Sequence, residues 1–301
     1  MVLIYNHGDN VGFDKTSVAL GTFDGVHIAH VNIINKAKDI AKENNLKCGI
    51  VTFDEIPANI VSNMHTLKLM NLEDKLRAFP EVDFVYIEKF DKDFMNLSPE
   101  EFVGYLKNKV KAAIVTVGYN YHFGRNGAGD VQLLKSLCEK AGIQVHICKK
   151  EEIDGEPVSS TRIRKLIMDG KVENAEKLLG RPFRITGTVM QGLQNGKKMG
   201  IPTANILPKP DIVSVKQGVY AGICEVEDKV YKSVINVGNN PTFKAKNTTI
   251  ECHLLDFDGD IYNKTITVMF SKFIREEICF DSPDALANQI LNDIKVAKNV
   301  C

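Results

Sequence analysis

The chain lacks any excess of charge, any long apolar run and any paired C-x-x-C cysteines, and each absence removes a class of function. Lys and Arg together number 38, as do Asp and Glu. Nothing global therefore recruits nucleic acid or an anionic membrane surface, although local charge can still hold a small anionic substrate. The opening residues, MVLIYNHGDN, have neither the basic region nor the apolar stretch of a secretory signal, and no later run is long enough to span a bilayer. The expectation is a cytoplasmic protein with no membrane and no nucleic-acid partner. The seven cysteines (Cys48, Cys138, Cys148, Cys224, Cys252, Cys279 and Cys301) are odd in number. They read as reduced residues that mostly pack. Oligomeric state has no signature in the sequence.

What is present is length for two cores and a change of rhythm between them. The chain has 301 residues with 44% hydrophobic and 25% charged content, ordinary for a globular protein. From Met1 to Arg181, short apolar runs alternate with amphipathic stretches. Ile33, Ile34, Ala37, Ile40 and Ala41 recur at helical spacing within 26–44, and Cys48–Phe53 reads as a strand. A helix over 72–79, a strand over 84–87 and a helix opening on Ser98-Pro99-Glu100-Glu101 follow. Ala112–Val117 is apolar enough for a central parallel strand, a helix ends near Gly142, and 143–147 forms a further strand. This alternation predicts an α/β doubly wound sheet whose ligands bind beyond the carboxyl ends of the strands.

After Arg181-Pro182 the period becomes two, over 184–190, 219–226, 230–237, 249–257 and 265–273, with Asp258-Gly259 as a hairpin signal. A helical stripe of Leu286, Ile290, Ile294 and Ala297 closes the chain. The second part is expected to be a small antiparallel β-barrel domain with a C-terminal helix. The expected division is 1–182 and 183–301.

Several stretches carry candidate chemistry. In Gly21–His30, GTFDGVHIAH, an apolar strand meets a glycine turn and a helix start near Val26. Such a helix start offers N–H groups and partial positive charge to an anion. His27 and His30 share one face of the first turn, where both can donate to phosphate or one can cap while the other packs. A zinc pair is disfavoured, because helical zinc ligands sit four apart with a third ligand nearby. In Val117–Gly124, VGYNYHFG, Asn120 can read a base or ribose and the aromatics can stack on a flat ring. A plain strand-to-helix turn would look the same. Ser159-Ser160-Thr161-Arg162 places three hydroxyls and a guanidinium at a helix start, an anion cradle or a simple cap.

In Gly187–Asn205, GTVMQGLQNGKKMGIPTAN, Gly187, Gly192, Gly196 and Gly200 are interspersed with Lys197 and Lys198. Bare N–H groups and lysines suit a phosphate-wrapping loop, though not a Walker A loop, whose G-x-x-x-x-G-K-[ST] is absent. Thr203 and Asn205, two apart, can face one Mg²⁺. Across Thr249–Phe257, Ile250, Cys252 and Leu254 share one face, and Glu251 and His253 the other. Glu251 is either a general base in a cleft or a solvated edge residue.

Together these motifs resemble the bacterial bifunctional riboflavin kinase/FAD synthetase (FMN adenylyltransferase) family over nearly the whole chain. GTFDGVHIAH is similar to the family's G-x-F-D-G-x-H-x-G-H, VSSTRIR to its hydroxyl-Arg segment, LLGRPFRITGTV to its domain joint, and GIPTAN to its G-x-P-T-A-N. The resemblance implies a nucleotidyltransferase-like first domain that adenylylates FMN with ATP, releasing FAD and pyrophosphate. It also implies a second domain that phosphorylates riboflavin to FMN with Mg²⁺ and ATP. By resemblance, His27 and His30 stabilise charge on the ATP phosphates. Gly21, Phe23, Asp24 and Asn120 contact nucleotide, and Ser160, Thr161 and Arg162 hold the triphosphate. In the kinase, Gly187, Gly192, Lys197 and Gly200 wrap phosphates, Thr203 and Asn205 hold Mg²⁺, and Glu251 is the base. Phe53, Phe123 and Arg275 are flavin-contact candidates. The chain departs from the pattern at Ala29, where the family has Gly, and at Asp54-Glu55-Ile56-Pro57, where it has x-P-H-P. These departures open an alternative, a kinase with a weak or inactive adenylyltransferase. Two further readings are a non-catalytic flavin or nucleotide sensor and a nucleic-acid-binding barrel, the latter opposed by the zero net charge.

Overall fold

The structure, a computed structural model, describes residues 2–61, 65–190, 201–239 and 248–300. The chain divides into two compact units, Met1–Ser159 and Ser160–Cys301.

In the first unit, β1 (Leu3–Asn6), β2 (Thr16–Leu20), α1 (Ile28–Glu43), β3 (Lys47–Phe53), α2 (Pro57–Val61) and α3 (Leu72–Ala78) come first. They are followed by β4 (Phe84–Glu88), α4 (Lys92–Met95), α5 (Pro99–Asn108), β5 (Ala112–Gly118), α6 (Val131–Lys140), β6 (Gln144–Cys148) and a small hairpin of β7 (Glu152–Ile153) and β8 (Glu156–Pro157). The six large strands form one parallel sheet in the order β1-β4-β3-β2-β5-β6. Strands β2 and β4 are buried at every position, as a sheet covered on both faces requires. Val18, Leu20, Val115 and Val117 pack with Leu106 and Leu134 on one face. Ala19, Ile50 and Val85 pack with Ile34 and Ala37 on the other. Ser98 opens α5 with the expected reciprocal box: its hydroxyl accepts from the Glu101 N–H at 3.1 Å, and the Glu101 carboxylate accepts from the Ser98 N–H at 2.8 Å. Strand order reverses between β2 and β5, so the crevice at their carboxyl ends is the topological switch point of a doubly wound sheet. Gly21 follows β2 directly, and Gly118 ends β5.

The second unit begins with α7 (Ser160–Met168) and α8 (Val172–Leu179), and α8 packs on strands of the barrel that follows. That barrel comprises β9 (Phe183–Met190), β10 (Ala204–Ile206), β11 (Gly218–Val226), β12 (Lys229–Asn239), β13 (Thr248–Leu254) and β14 (Thr265–Arg275). It closes in the order β10-β13-β12-β11-β14-β9, with every pairing antiparallel. Closure removes the sheet edges. The closing helix α9 (Pro283–Val300) lays Ile294 and Ala297 against Val219, Ala221 and Val234 on the outside.

One expected turn is corrected. Asp258-Gly259 is not a tight hairpin, because β13 and β14 are not neighbours and their connection must pass two intervening strands. The tight hairpin is Glu227-Asp228, between β11 and β12, with Val226 opposite Lys229. Both loop residues have positive φ, 49° and 63°, as a type I′ turn needs.

Candidate active sites

The first candidate site is the turn from β2 into α1. Its backbone passes through left-handed conformations at Phe23 (φ 51°), Gly25 (φ 84°) and Val26 (φ 40°). A β-branched valine there is a true outlier, held at a cost of about 1–3 kcal/mol by its surroundings. Those surroundings are specific. The Asp24 carboxylate accepts the Leu69 N–H at 3.0 and 3.2 Å, which fastens Leu69 over the turn. A Cβ on Gly25 would come within 2.5 Å of Leu69 Cδ1, so only glycine fits beneath it. The turn exits at His27, the N-cap of α1, whose Nδ1 accepts from the His30 N–H at 3.3 Å. Neutral His27 therefore carries its proton on Nε2. The two imidazoles stack with centroids 3.5 Å apart and planes 16° apart. No acidic residue occupies the first turn of α1 to offset its positive end. The His pair thus combines both sequence readings: His27 caps, and both rings stand at one helix N-terminus.

Other expected contacts have packing roles. Phe23 is fully buried, edge-on to His30 and Phe79, so its ring serves the core and only its backbone borders the turn. A Cβ on Gly21 would lie 3.0 Å from that ring. The Phe123 ring is buried against Phe102 and Tyr121. Phe53 is buried edge-on to Phe90 and Phe94, two half-buried rings that the sequence reading passed over. Phe90 lies just before Asp91, the N-cap of α4, and Phe94 within α4, so no helical period joins them. Asn120 is exposed just beyond β5 at the switch point, its carbonyl accepting from His122 Nδ1 at 3.0 Å. The Asp54-Glu55 departure is electrostatically compensated: Lys68 Nζ lies 2.7 Å from the Glu55 carboxylate.

Sequence reading also missed Lys75. It occupies the buried stripe of α3 with Leu72 and Leu76, where an apolar residue belongs, and that misplaced charge was its signal. Lys75 borders a cavity of about 20 Å³, room for one water, together with Thr22, Asp24, Asp54 and Glu55. Burial pushes its ammonium down to about 8, against the pull of Asp24.

Ser160, Thr161 and Arg162 form the first turn of α7, again without an acid. They lie in the second compact unit, whereas His27 and His30 lie in the first.

The second candidate site is a row across the outer face of the barrel. Strand register sets Asn205 directly opposite Glu251, and Glu251 directly opposite Asn236. Directly opposed residues share a face, so these three side chains line up across β10, β13 and β12. Their neighbours Ala204, Ile206, Ile250 and Cys252 are buried on the opposite side. Thr203 lies two residues before Asn205, immediately ahead of β10, and the Pro202 carbonyl accepts from His253 Nδ1 at 2.8 Å. Glu251 is half-buried, and burial, then the charge of Glu277, raises its carboxyl above the usual range. Glu277 also accepts from Asn236 Nδ2 at 3.4 Å. Gly187 lies within β9, where a Cβ would come within 2.5 Å of Ile206 Cγ2, so tight packing explains it. Gly192, Lys197 and Gly200 fall outside the described residues. Arg275, a flavin-contact candidate in the sequence, grips Asp293 of α9 through Nε at 3.1 and 3.2 Å and Nη2 at 2.8 Å.

A doubly wound sheet with a histidine-bearing switch-point turn, joined to a closed barrel with a Glu–Asn row, defines a two-part phosphoryl- and nucleotidyl-transfer architecture. Residues 12–162 match the FAD synthetase family, and residues 179–301 match the riboflavin kinase family. The chain is 34% identical over 281 residues to the bifunctional riboflavin kinase/FMN adenylyltransferase of Listeria monocytogenes, covering 92% of this chain and 89% of that one. The protein of the same description from Bacillus subtilis is 34% identical over 287 residues, covering 93% and 90%. The chain belongs to the family of bifunctional riboflavin kinase/FMN adenylyltransferases. A crystal structure described as a macrolide-efflux protein from Streptococcus pneumoniae superposes with a TM-score of 0.89 at 30% identity, covering 99% of both chains. Among the described residues, no helix is long and apolar enough to cross a membrane.

Proposed function

We propose that the chain makes FMN from riboflavin and ATP, and then FAD from FMN and a second ATP, releasing pyrophosphate. The kinase is assigned to 183–301 and the adenylyltransferase to 1–182, working in the cytoplasm, where ATP is supplied. The observation that carries the kinase reading is the cross-strand pair of Asn205 and Glu251. In that reaction Glu251 accepts the proton of the terminal ribityl hydroxyl as its oxygen attacks the γ-phosphorus, and ADP leaves. A carboxyl raised by burial and by Glu277 is a stronger base than an exposed one.

The donor set suits magnesium. The Thr203 hydroxyl and Asn205 amide are neutral hard oxygens beside a carboxylate, and Mg²⁺ is commonly held by few protein oxygens plus substrate phosphates. Thr203 and Asn205 would hold it, and the ion would supply charge neutralisation at the transferring phosphoryl group.

For adenylylation, a phosphate oxygen of FMN attacks the α-phosphorus of ATP, and pyrophosphate departs without a covalent enzyme intermediate. His27 Nε2–H and His30 donate to phosphate oxygens at the N-terminus of α1, where charge grows on the leaving group. Ser160, Thr161 and Arg162, in the first turn of α7, offer two hydroxyls and a guanidinium suited to phosphate oxygens. The weak-adenylyltransferase alternative has no observation in its favour, since the His pair stands at its helix terminus and Lys68 neutralises Glu55.

The test supplies riboflavin and MgATP and resolves the products by chromatography, expecting FMN and then FAD. Glu251→Gln is expected to abolish FMN formation while leaving FAD formation from added FMN, and His27→Ala the reverse. Equal loss of both activities in either variant would contradict the assignment.

A further inference from the structure

Helix α3 carries a cation in its buried stripe. Lys75 is 7% exposed, and its ammonium offers three N–H donors to three oxygens. These are the Phe53 carbonyl at 2.6 Å, Thr52 Oγ1 at 3.2 Å and the Thr22 carbonyl at 3.3 Å. Phe53 is the last residue of β3, and Thr22 stands two residues beyond β2. The Thr52 hydroxyl donates in turn to the Thr22 carbonyl at 3.1 Å. One buried charge thus cross-ties the carboxyl ends of the two strands next to the switch point.

Thr22 is where the strained turn begins. Beyond it come the left-handed Phe23, Gly25 and Val26, and then His27. Such a backbone persists only where its surroundings over-determine it. Asp24 holds the middle through the Leu69 N–H, and the His27 cap holds the end. Lys75 is the hold on the beginning.

We infer that Lys75 is a positioning residue for adenylyl transfer, its ammonium fixing the Thr22 carbonyl and with it the angle at which His27 and His30 meet the nucleotide. The inference rests on the assignment of that transfer to residues 1–182. An apolar residue would fill the same stripe at lower desolvation cost, so core packing alone does not account for a lysine here. The charged groups facing it are Asp24 from the turn, Asp54 and Glu55 from the segment after β3, and Lys68 from the segment before α3. Burial, helped by the like charge of Lys68, outweighs the three carboxylates and brings its deprotonation to about 8. The tie weakens as pH rises through that value, and adenylylation should carry an alkaline limb there.

The test measures FAD formation from FMN and ATP by the full-length chain across roughly pH 6.5–9.5, for wild type, Lys75→Arg and Lys75→Met. Riboflavin phosphorylation and thermal unfolding are followed on the same samples. Lys75→Met is expected to lower kcat for adenylylation on the order of tenfold to a hundredfold, as misplacement of reacting groups does. Its KM for ATP should change by less than about threefold, and phosphorylation should be unaffected. Lys75→Arg, which stays charged, is expected to keep most of the rate and lose the alkaline limb near pH 8. Unchanged adenylylation in Lys75→Met, or a wild-type alkaline limb in Lys75→Arg, would overturn the inference. If Lys75→Met fails to fold, the Lys75→Arg profile decides alone. A wild-type chain that forms no FAD would instead overturn the adenylyltransferase reading itself.

Discussion

Replacing Arg275 with methionine is expected to loosen the closing helix rather than weaken flavin binding. Asp293, on α9, is 1% exposed and takes three of its contacts from the Arg275 guanidinium. Methionine keeps most of the apolar stem but leaves that carboxylate with the Gln289 amide, at 3.0 Å, as its remaining named donor. Orphaning one member of a buried ion pair costs about 3–5 kcal/mol. The Arg275 side chain is 16% exposed, so some water reaches the vacated position and the lower end of the range, about 3 kcal/mol, applies. At about 3 °C per kcal/mol for a unit of this size, the kinase transition should fall by roughly 9 °C. The chain has no tryptophan, so scanning calorimetry is the assay, with residual kinase activity after graded heating as the unit-specific readout. Arg275→Met/Asp293→Leu should recover much of the loss, because both charges leave together. A single variant that melts within about 2 °C of wild type and instead raises the KM for riboflavin would refute the clamp. Arg275 would then be a flavin contact after all.

Other expectations bear on each unit separately. Glu277→Gln removes a charge that raises the Glu251 carboxyl, so the acid limb of kcat/KM for phosphorylation should move to lower pH; an unmoved limb in the pH profile would show that burial alone sets it. Gly25→Ala meets both a positive φ and Leu69, and should destabilise the first unit by about 1–3 kcal/mol, depressing FAD formation while phosphorylation continues. Gly222→Ala places a Cβ 2.2 Å from the Met269 carbonyl inside the barrel and should do the reverse; paired activity and melting measurements on the two variants check both.

The layers of the fold were legible because they rest on periodicity. Alternating apolar runs placed the parallel strands, and the change to period two near Pro182 announced the barrel. Glu251 was placed on the correct face by alternation alone, with Ile250 and Cys252 buried on the other. What stayed hidden depends on partners far away in sequence. Asp258-Gly259 has hairpin chemistry, but its strands are separated in the barrel, and topology overrides a local turn signal. Glu227-Asp228 makes the I′ turn without glycine, because two long paired strands impose it. The packing roles of Phe23, Phe53 and Phe123 could not be read from composition, since a buried ring and a ligand-stacking ring have the same letter. Asp293 and Lys75 interrupt apolar stripes. Sequence reading passes over such residues as noise, yet each proves to be a buried charge with assigned partners.

The two halves fix their chemistry by different physical means, and this predicts how each tolerates change. In the barrel, Asn205, Glu251 and Asn236 are aligned by register, so their spacing follows from every ladder hydrogen bond in three strands at once. No single residue holds that row, and substitutions elsewhere on the barrel should leave it in place until the fold itself fails. The first site hangs on a few contacts around one strained turn: Lys75 at its start, Asp24 in its middle, the His27 cap at its end. Each contact acts on a backbone that would relax without it, so loss of any one should reach the histidines with little loss of the sheet. The same logic accounts for the departures at Glu55 and Ala29. Neither side chain supplies one of these three holds, and Glu55, which faces Lys75, brings its own counter-charge in Lys68. Drift in the motif letters is therefore compatible with an intact turn, whereas a change at Lys75 or Asp24, which no motif reading singled out for this role, is not.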